Sequence, residues 1–123
     1  MSDQALNKFL AVSKALADAS RVRILALLEN QPLCVCQIIE ILGLAPSTIS
    51  KHLFLLKRAR LIETKKEGRW IHCRLTERKT RRWIAPAVAG SSRLKEDRQK
   101  LHVLLKIAPE EICRRQLKKR IKP

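Results

Sequence analysis

The chain has 123 residues, an apolar fraction of 46% and no apolar run near the roughly 18 residues that cross a bilayer. These values predict one small domain with a hydrophobic core and argue against a membrane protein. Lysine and arginine outnumber aspartate and glutamate by 27 to 11, so the formal charge is +16 and nucleic acid is a better candidate partner than an anionic membrane or an acidic small substrate. We expect a cytoplasmic protein with no membrane partner. Because thiols stay reduced in the cytoplasm, its four cysteines are interpreted as core residues, metal ligands or reactive thiols before they are interpreted as disulfides.

Four helices are predicted before the middle of the chain. Apolar residues at helical spacing predict an amphipathic helix over roughly residues 3–17. The segment "RVRILALLEN" is apolar nearly all round, as in a central helix, and Ser20 is its predicted N-cap. "VCQIIEIL" predicts a short third helix closed by Gly43, and "STISKHLFLLKRARLI" a fourth over about residues 47–59. Two helices joined by so short a turn indicate a helix-turn-helix.

A hairpin follows the fourth helix. The alternating segment "LIETKKEGRWIHCRL" predicts two strands that turn at Glu67-Gly68. The rest of the chain is predicted to be helical and basic, with breaks at Pro86, at Gly90-Ser91-Ser92 and at Pro109. The expected fold class is therefore mainly α with a small β-hairpin wing, a winged helix-turn-helix.

Residues 18–75 contain four motifs in order: an Arg-rich D-x-x-R-x-x-I-L helix, a Leu-Cys-Val-Cys box, a Ser-x-His-Leu helix and a G-R-W wing. This segment resembles the ArsR/SmtB family of metal-sensing bacterial repressors. The resemblance implies a homodimer that represses its own resistance operon until a thiophilic ion binds. It divides the single domain, 1–123, into an N-terminal dimerisation helix (1–18), a winged helix-turn-helix core (19–75) and a C-terminal helical dimerisation segment with a basic tail (76–123).

The end of the fourth helix departs from the family pattern. Family members usually have Gly where this chain has Arg60. This helix must therefore end differently or accept about 1 kcal/mol of backbone strain.

The fourth helix has two distinct faces. At about 100° per residue, Ile49, Leu53 and Leu56 share one face, which must be core, so the opposite face would meet a major groove. The predicted DNA-binding residues are Ser47, Thr48, Ser50, Lys51, His52, Phe54, Lys57 and Arg58 on this helix, and Lys65, Lys66 and Arg69 at the hairpin tip. His52 flanks the apolar face, so a packed, hydrogen-bonded histidine is its alternative interpretation. A solvated turn is the alternative for the hairpin tip.

Cys34 and Cys36 lie at the predicted start of the third helix. On a regular helix, residues two apart point about 200° away from each other, so both can bind one ion only if the helix start is extended or unwound. Such a start could act as a switch, because the ion would favour one backbone state. Thiolates select arsenic(III), as arsenite or methylarsenite, and also antimony(III), cadmium or lead over magnesium or calcium. The alternative is two small buried core residues.

A pyramidal arsenic(III) site ordinarily needs three sulfurs. Arsenic repressors of this kind have a third cysteine where this chain has Ile39. Cys113, from the same or the other subunit, is a candidate third ligand. Its alternative role is packing on one helix face with Leu117 and Ile121. Cys73, on the wing, is not expected to be a ligand.

The sequence thus predicts a transcriptional repressor that binds double-stranded operator DNA as a homodimer and is released by a thiophilic ion bound to cysteine thiolates. Two alternatives remain: a thiol redox-sensing winged-helix repressor and a nonspecific nucleoid-type DNA-binding protein. An enzyme is not expected, because no Ser-His-Asp set, paired carboxylates or phosphate loop appears. Asp97 and His102 are at an unsuitable spacing for the family's zinc site on the dimer helix.

Overall fold

The structure, a computed structural model, describes residues 2–76, 80, 82, 84–86 and 89–121, with side chains described as far as Lys119. The helices with described bounds are α1 (Asp3–Leu16), α2 (Ala19–Leu27), α3 (Val35–Leu42), α4 (Pro46–Arg58), α5 (Ser92–Leu104) and α6 (Pro109–Ile121). The strands are β1 (Leu33–Cys34), β2 (Ile62–Glu67) and β3 (Trp70–Leu75). Residues 80, 82 and 84–86 are also helical. The predicted fold class, mainly α with a small wing, is confirmed.

The ends of the first helices follow local signals in the sequence. The predicted cap of α2 is wrong: Asp18, not Ser20, is the N-cap, and its Oδ1 accepts a hydrogen bond from the Arg21 amide at 3.2 Å. Asp18 has the extended backbone that a cap requires, whereas Ser20 lies inside the first turn. Helix α3 ends at Gly43 in the left-handed conformation (φ 68°), as predicted.

The end of α4 shows the strain that the sequence predicts. Arg60 has φ 60°, and among the described residues it is the one non-glycine with positive φ. Its amide donates to the Lys57 carbonyl and the Leu61 amide donates to the Leu56 carbonyl, both at 3.0 Å. These two bonds form a Schellman motif, which satisfies the last carbonyls of the helix but requires a left-handed residue.

The wing is a three-stranded antiparallel sheet in the order β1-β3-β2. Strands β2 and β3 form the predicted hairpin, and Gly68 at its turn has φ 61°. The sequence did not predict β1, in which Leu33 pairs with Cys73 and Cys34 with His72. The cysteine box therefore begins on the wing sheet before it enters α3.

The C-terminal helices cover the core of the helix-turn-helix. Helix α5 packs against α2 and α3, and α6 packs against α3. Ile112 of α6 is 1% exposed, close to the 0% of the central residues Ile24 and Ile38. Among the described residues no single helix has both the length and the apolarity of a membrane span; α3 and α4 reach them only together, as a pair bent by 116°.

A buried ion pair joins α2 to α5. Nε and Nη2 of Arg23 donate to the two carboxylate oxygens of Asp97 at 2.8 and 2.9 Å. Asp97 is 2% exposed, so this carboxylate is fully occupied in holding the two helices together.

Candidate thiol cluster and nucleic-acid surface

Helix α4 has the two faces that its sequence predicts. Ile49 and Leu56 are fully buried and Leu53 is 8% exposed, which confirms the core face. The residues on the outer face are exposed: Ser47, Ser50, Lys51, Phe54, Lys57 and Arg58. The Phe54 ring is 61% exposed on a helix that is otherwise polar and basic on this side. This surface has the hydrogen-bond donors and charge that a DNA groove would require.

Thr48 and His52 lie between the two faces and are half-buried. The Nδ1 atom of His52 is 3.2 Å from Nη1 of Arg21, and the Arg21 guanidinium also donates to the carbonyls of Lys14 and Ala15 at 2.9 and 2.8 Å. Because a guanidinium has donors only, His52 must accept through Nδ1. Sequence reasoning missed Arg21, whose contact with His52 is 31 residues away along the chain.

The hairpin tip presents a basic surface. The side chains of Lys65, Lys66 and Arg69 are all exposed. Lys65 lies 3.3 Å from the carboxylate of Glu67, an exposed ion pair that contributes little to stability. The wing tip can therefore exchange this contact for a phosphate at small cost.

Cys34 and Cys36 meet because the helix start is extended. Cys34 is the N-cap of α3, with φ −72° and ψ 148°, so only Cys36 lies inside the helix. The two Sγ atoms are 3.8 Å apart. The Cys34 amide donates to Oε1 of Gln37 at 2.8 Å, which holds the extended residue in place. This is the backbone arrangement that the sequence argument required for chelation by both cysteines.

Cys113 brings a third sulfur from α6 of the same chain. Its sulfur forms a disulfide with that of Cys36, with the two Cα atoms 5.5 Å apart, and this pair is therefore not in the reduced state that the sequence favours. The sulfurs of Cys34, Cys36 and Cys113 all lie within 4.8 Å of one another; we name these three the thiol cluster. Leu117, which shares a helix face with Cys113 in the packing alternative, is 54% exposed, so that face is not a core face.

The thiol cluster offers only sulfur donors. Among the described residues, no carboxylate or imidazole joins the three sulfurs as a possible ligand. Metal–thiolate bonds of about 2.3 Å place two ligands of one tetrahedral ion about 3.8 Å apart, which is the spacing of Cys34 and Cys36. Once the bond between Cys36 and Cys113 is reduced, the cluster therefore fits a thiophilic ion.

Cys73 stands apart from the thiol cluster. It is fully buried on β3, where loss of solvation raises the pKa of its thiol to about 11. At neutral pH Cys73 is therefore a protonated core residue and not a thiolate ligand. This agrees with the expectation from the sequence.

Sequence reasoning missed the amide of Gln116. Its Nε2 donates to the Cys36 carbonyl at 2.7 Å and to the Glu40 carboxylate at 3.1 Å. The partners are about 80 residues apart along the chain, and no local pattern reports them. Its position three residues after Cys113, on the same side of α6, is the only available signal.

Residues 18–64 match the family described as "Bacterial regulatory protein, arsR family". The chain is 47% identical over 60 residues to the HTH-type transcriptional regulator MJ1325 of Methanocaldococcus jannaschii, covering 48% of this chain and 67% of that protein. It is 42% identical over 64 residues to the arsenical resistance operon repressor of Escherichia coli, covering 51% of this chain and 55% of the repressor. The chain thus spans about half the length of the arsenical relative.

A solved structure agrees over a longer stretch. The chain superposes with a TM-score of 0.63 on a homodimeric winged helix-turn-helix DNA-binding domain, Mb0332 from Mycobacterium bovis, described as a possible ArsR-family transcriptional regulator. The two are 31% identical, and the match covers 71% of this chain and 83% of that one. Family pattern, identity and fold agree: the chain belongs to the ArsR family of bacterial transcriptional regulators.

Proposed function

We propose that the chain is a homodimeric repressor that holds operator DNA with α4 and the wing and leaves it when arsenic(III), or a related thiophilic ion, binds the thiol cluster. The observation that carries this proposal is the convergence of Cys34, Cys36 and Cys113 at the start of α3. A structural disulfide between Cys36 and Cys113 would need only two sulfurs, and the sulfur of Cys34 lies within 4.8 Å of both. We expect the protein to act in the cytoplasm, where the thiols are kept reduced.

The ion would act on elements that present the DNA surface. Cys34 belongs to β1, which pairs with the wing strand β3, and Cys36 belongs to α3, which precedes α4 by only residues 43–45. An ion bound to both and to Cys113 would fix β1, α3 and α6 relative to one another. DNA release follows if that arrangement places α4 and the wing differently from the DNA-bound state.

The donor set favours a three-coordinate inducer. Three thiolates without an oxygen or nitrogen donor suit arsenic(III), as arsenite, and antimony(III). Methylarsenite would need only two of the sulfurs. Cadmium would need a fourth donor. Lead is also thiophilic and is a weaker candidate than arsenic(III). The relative from Escherichia coli is named as a repressor of arsenical resistance, which supports this order of preference.

The homodimer would bury the N-terminal helix. Leu6, Phe9 and Leu10 of α1 are 43%, 64% and 53% exposed. Apolar side chains grouped on one helix indicate a protein interface, and the Mycobacterium bovis domain is homodimeric. We therefore assign residues 1–18 to dimerisation, 19–75 to DNA binding and 76–123 to the C-terminal helical part of the dimer, with a basic tail.

In the DNA complex, the two α4 helices of a dimer would read an inverted repeat with half-sites about one helical turn apart. Ser47, Ser50 and Lys51 would contact base edges and Phe54 a thymine methyl group, with Thr48 and His52 beside them. The expected phosphate contacts are those of Lys57, Arg58, Lys65, Lys66 and Arg69.

Lys51→Ala should weaken binding to the operator much more than binding to a random duplex, measured by fluorescence anisotropy. An equal loss on both would remove Lys51 from base reading, and similar wild-type affinity for any duplex would favour the nucleoid-type alternative.

The sensor role is tested by arsenite titration of the operator complex in reducing, metal-free buffer. Cys34→Ser, Cys36→Ser and Cys113→Ser should each bind the operator like the wild type and fail to release it, because removing one thiolate leaves too little difference in affinity between the two states. Cys73→Ala, which alters a buried cysteine outside the thiol cluster, is the matched control and should respond normally. Release of the Cys34→Ser/Cys36→Ser double variant at the wild-type arsenite concentration would overturn the sensor assignment.

A thiol redox sensor is the second candidate, because Cys36 and Cys113 are bonded in the structure. The two candidates make different demands on Cys34, which the ion needs and the disulfide does not. If the protein senses arsenic(III), Cys34→Ser should abolish release by arsenite. If the protein is a redox sensor, glutathione disulfide should still release the Cys34→Ser variant. If glutathione disulfide does not release the wild-type protein, the redox candidate fails.

A further inference from the structure

We infer that Gln116 is a positioning residue of the thiol cluster: its side-chain amide fixes the first turn of α3 against α6 and so sets the approach of Cys113 to Cys36. The biological use of this contact rests on the proposed function. The contact itself can be tested without an inducer or DNA.

The orientation of the amide follows from its two partners. Nε2 of Gln116 lies 2.7 Å from the Cys36 carbonyl oxygen and 3.1 Å from Oε2 of Glu40. A carbonyl and a carboxylate are both acceptors, so only the NH₂ group can face them. Both amide hydrogens are then used, one for each partner.

The place of Gln116 on α6 makes it suited to align the sulfurs. It is 9% exposed and lies one turn after Cys113, on the same side of the helix. Ile112, the residue directly before Cys113, is 1% exposed and anchors this part of α6 in the core. Apolar packing of Ile112 holds α6 against the core without fixing its rotation, because the hydrophobic effect is not directional. Two hydrogen bonds with defined angles supply that direction.

The partners of Gln116 lie on the helix that carries the sensor thiol. Cys36 contributes both a sulfur to the thiol cluster and the carbonyl that Gln116 binds, so the amide acts on the same residue as Cys113. Glu40 lies one turn later on α3. Gln116 therefore holds two consecutive turns of α3, and loss of the amide should let α6 slide or rotate by small amounts that separate the sulfurs.

The test measures the equilibrium constant for disulfide formation between Cys36 and Cys113. In glutathione buffers, one thiolate attacks glutathione disulfide and releases one glutathione thiolate; the other then attacks the mixed disulfide and releases the second. The equilibrium constant of this exchange reports the effective concentration of one thiol at the other. The full-length chain is equilibrated in buffers of increasing glutathione disulfide, quenched with acid, and the Cys36–Cys113 bond is quantified by mass spectrometry.

Gln116→Met, which keeps the length of the side chain and removes both donors, should lower this equilibrium constant by about tenfold, as loss of two hydrogen bonds implies. Gln116→Glu should lower it further, because its carboxylate would face Glu40 and a carbonyl. Gln99→Met makes the same change at an exposed site on α5 and should leave the constant unchanged. Glu40→Ala removes one of the two partners and should give a smaller loss, of about threefold.

A constant for Gln116→Met within twofold of the wild type would overturn the inference. So would a loss matched by an equal fall in the unfolding stability of the reduced chain, since that would indicate general loosening. If neither Gln116 variant folds, Glu40→Ala decides alone: a threefold loss supports the inference, and an unchanged constant rejects it.

Arsenic probes separate this inference from the proposed function. Gln116→Met should bind arsenite, which takes three thiolates, about tenfold more weakly than the wild type and bind methylarsenite, which takes two, equally well. If the wild-type chain does not bind arsenite at all, the proposed function fails, while the exchange equilibrium still decides the role of Gln116. If Gln116→Met bound arsenite and methylarsenite with equally reduced affinity, the role of Gln116 could not be limited to the approach of Cys113.

Discussion

Arg60 holds a backbone conformation that its side chain disfavours. Its φ of 60° closes α4 through two Schellman hydrogen bonds, and a left-handed conformation costs a residue with a Cβ about 1 kcal/mol or more. Arg60→Gly should therefore raise the free energy of unfolding by about 1 kcal/mol, measured by urea denaturation. Arg60→Ala removes the charge and keeps the strain, so it serves as the control. Equal stability of the two variants would mean that the gain came from charge and not from the backbone.

Cys73 makes the stability of the fold depend on pH in the alkaline range. Burial raises the pKa of its thiol from the ordinary value of 9.0 to about 11. Between these values the unfolded chain loses the proton while the folded chain keeps it, so stability is fully present below pH 9 and falls as the pH rises toward 11. The fall from this thiol should be on the order of 2 kcal/mol.

Urea denaturation at intervals from pH 8 to 11 in metal-free buffer checks this prediction. The Cys73→Ala variant starts with a different stability because it leaves a small cavity, but it should lack this part of the slope. The informative quantity is the difference between the two curves. Parallel curves would contradict the assignment to Cys73.

At the scale of elements, α5 is held to α2 by a charge pair in the core. Removing one partner of a buried pair leaves the other charge without compensation, which typically costs about 3–5 kcal/mol, whereas an exposed pair contributes about 1 kcal/mol or less. Asp97→Ala should therefore destabilise the fold by about 3–5 kcal/mol, because Arg23 is only 8% exposed. Glu63→Ala, which breaks the exposed pair with Arg74, should cost about 1 kcal/mol or less in the same denaturation assay. Similar losses would show that the Arg23–Asp97 pair is screened by water.

The elements themselves could largely be predicted from the sequence, and the contacts between them could not. Periodicity and turn residues located α1, α3, α4 and the hairpin, because these signals are local. Strand β1 was missed because two residues carry no alternation, and its pairing depends on Cys73 and His72, almost forty positions later. The cap of α2 was misplaced by two residues because Asp18 and Ser20 are both good caps.

The residues of the candidate site also fall into two groups: those that the sequence could identify and those that it could not. The box of Cys34 and Cys36 could be found from its spacing, and the need for an extended helix start followed from helix geometry alone. Cys113 could be proposed only as one of several possibilities, since the packing of α6 on α3 depends on contacts between segments far apart in the sequence, such as that of the buried Ile112. Gln116 and Arg21 had no clear signal, because polar contacts between distant elements depend on how those elements pack.

At the scale of the whole molecule, the charge of +16 should make DNA binding strongly salt-dependent. The logarithm of the affinity should fall linearly with the logarithm of salt, with a slope near −0.9 for each phosphate neutralised. Replacing Lys65 and Lys66 by alanine should make the slope less steep by about 0.9 for each phosphate that the wing no longer neutralises, measured by anisotropy titrations over a range of salt. Truncation of the chain at Pro109 would also remove basic residues, but it would take Ile112 of α6 out of the core and damage the fold. The substitutions at the wing avoid this.

The matched control is Lys118→Ala/Lys119→Ala, which removes two exposed charges from α6 and leaves its buried side intact. A smaller slope for the wing variant alone would place the phosphates at the wing. A smaller slope for the α6 variant alone would move the phosphates to the basic tail. If both slopes equal that of the wild type, neither group of lysines reaches DNA.

All three sulfurs of the thiol cluster come from one chain, and this has a genetic consequence. If the chain is the homodimeric repressor proposed above, a cell that makes both wild-type chains and chains with Cys34→Ser would contain mixed dimers with one intact cluster and one defective cluster. The intact half would still bind its ion, because none of its ligands comes from the partner chain. A cluster shared between subunits would instead be damaged by a variant chain on either side. The variant allele should accordingly be partly dominant, and reporter expression at saturating arsenite should fall in proportion to the dose of the variant.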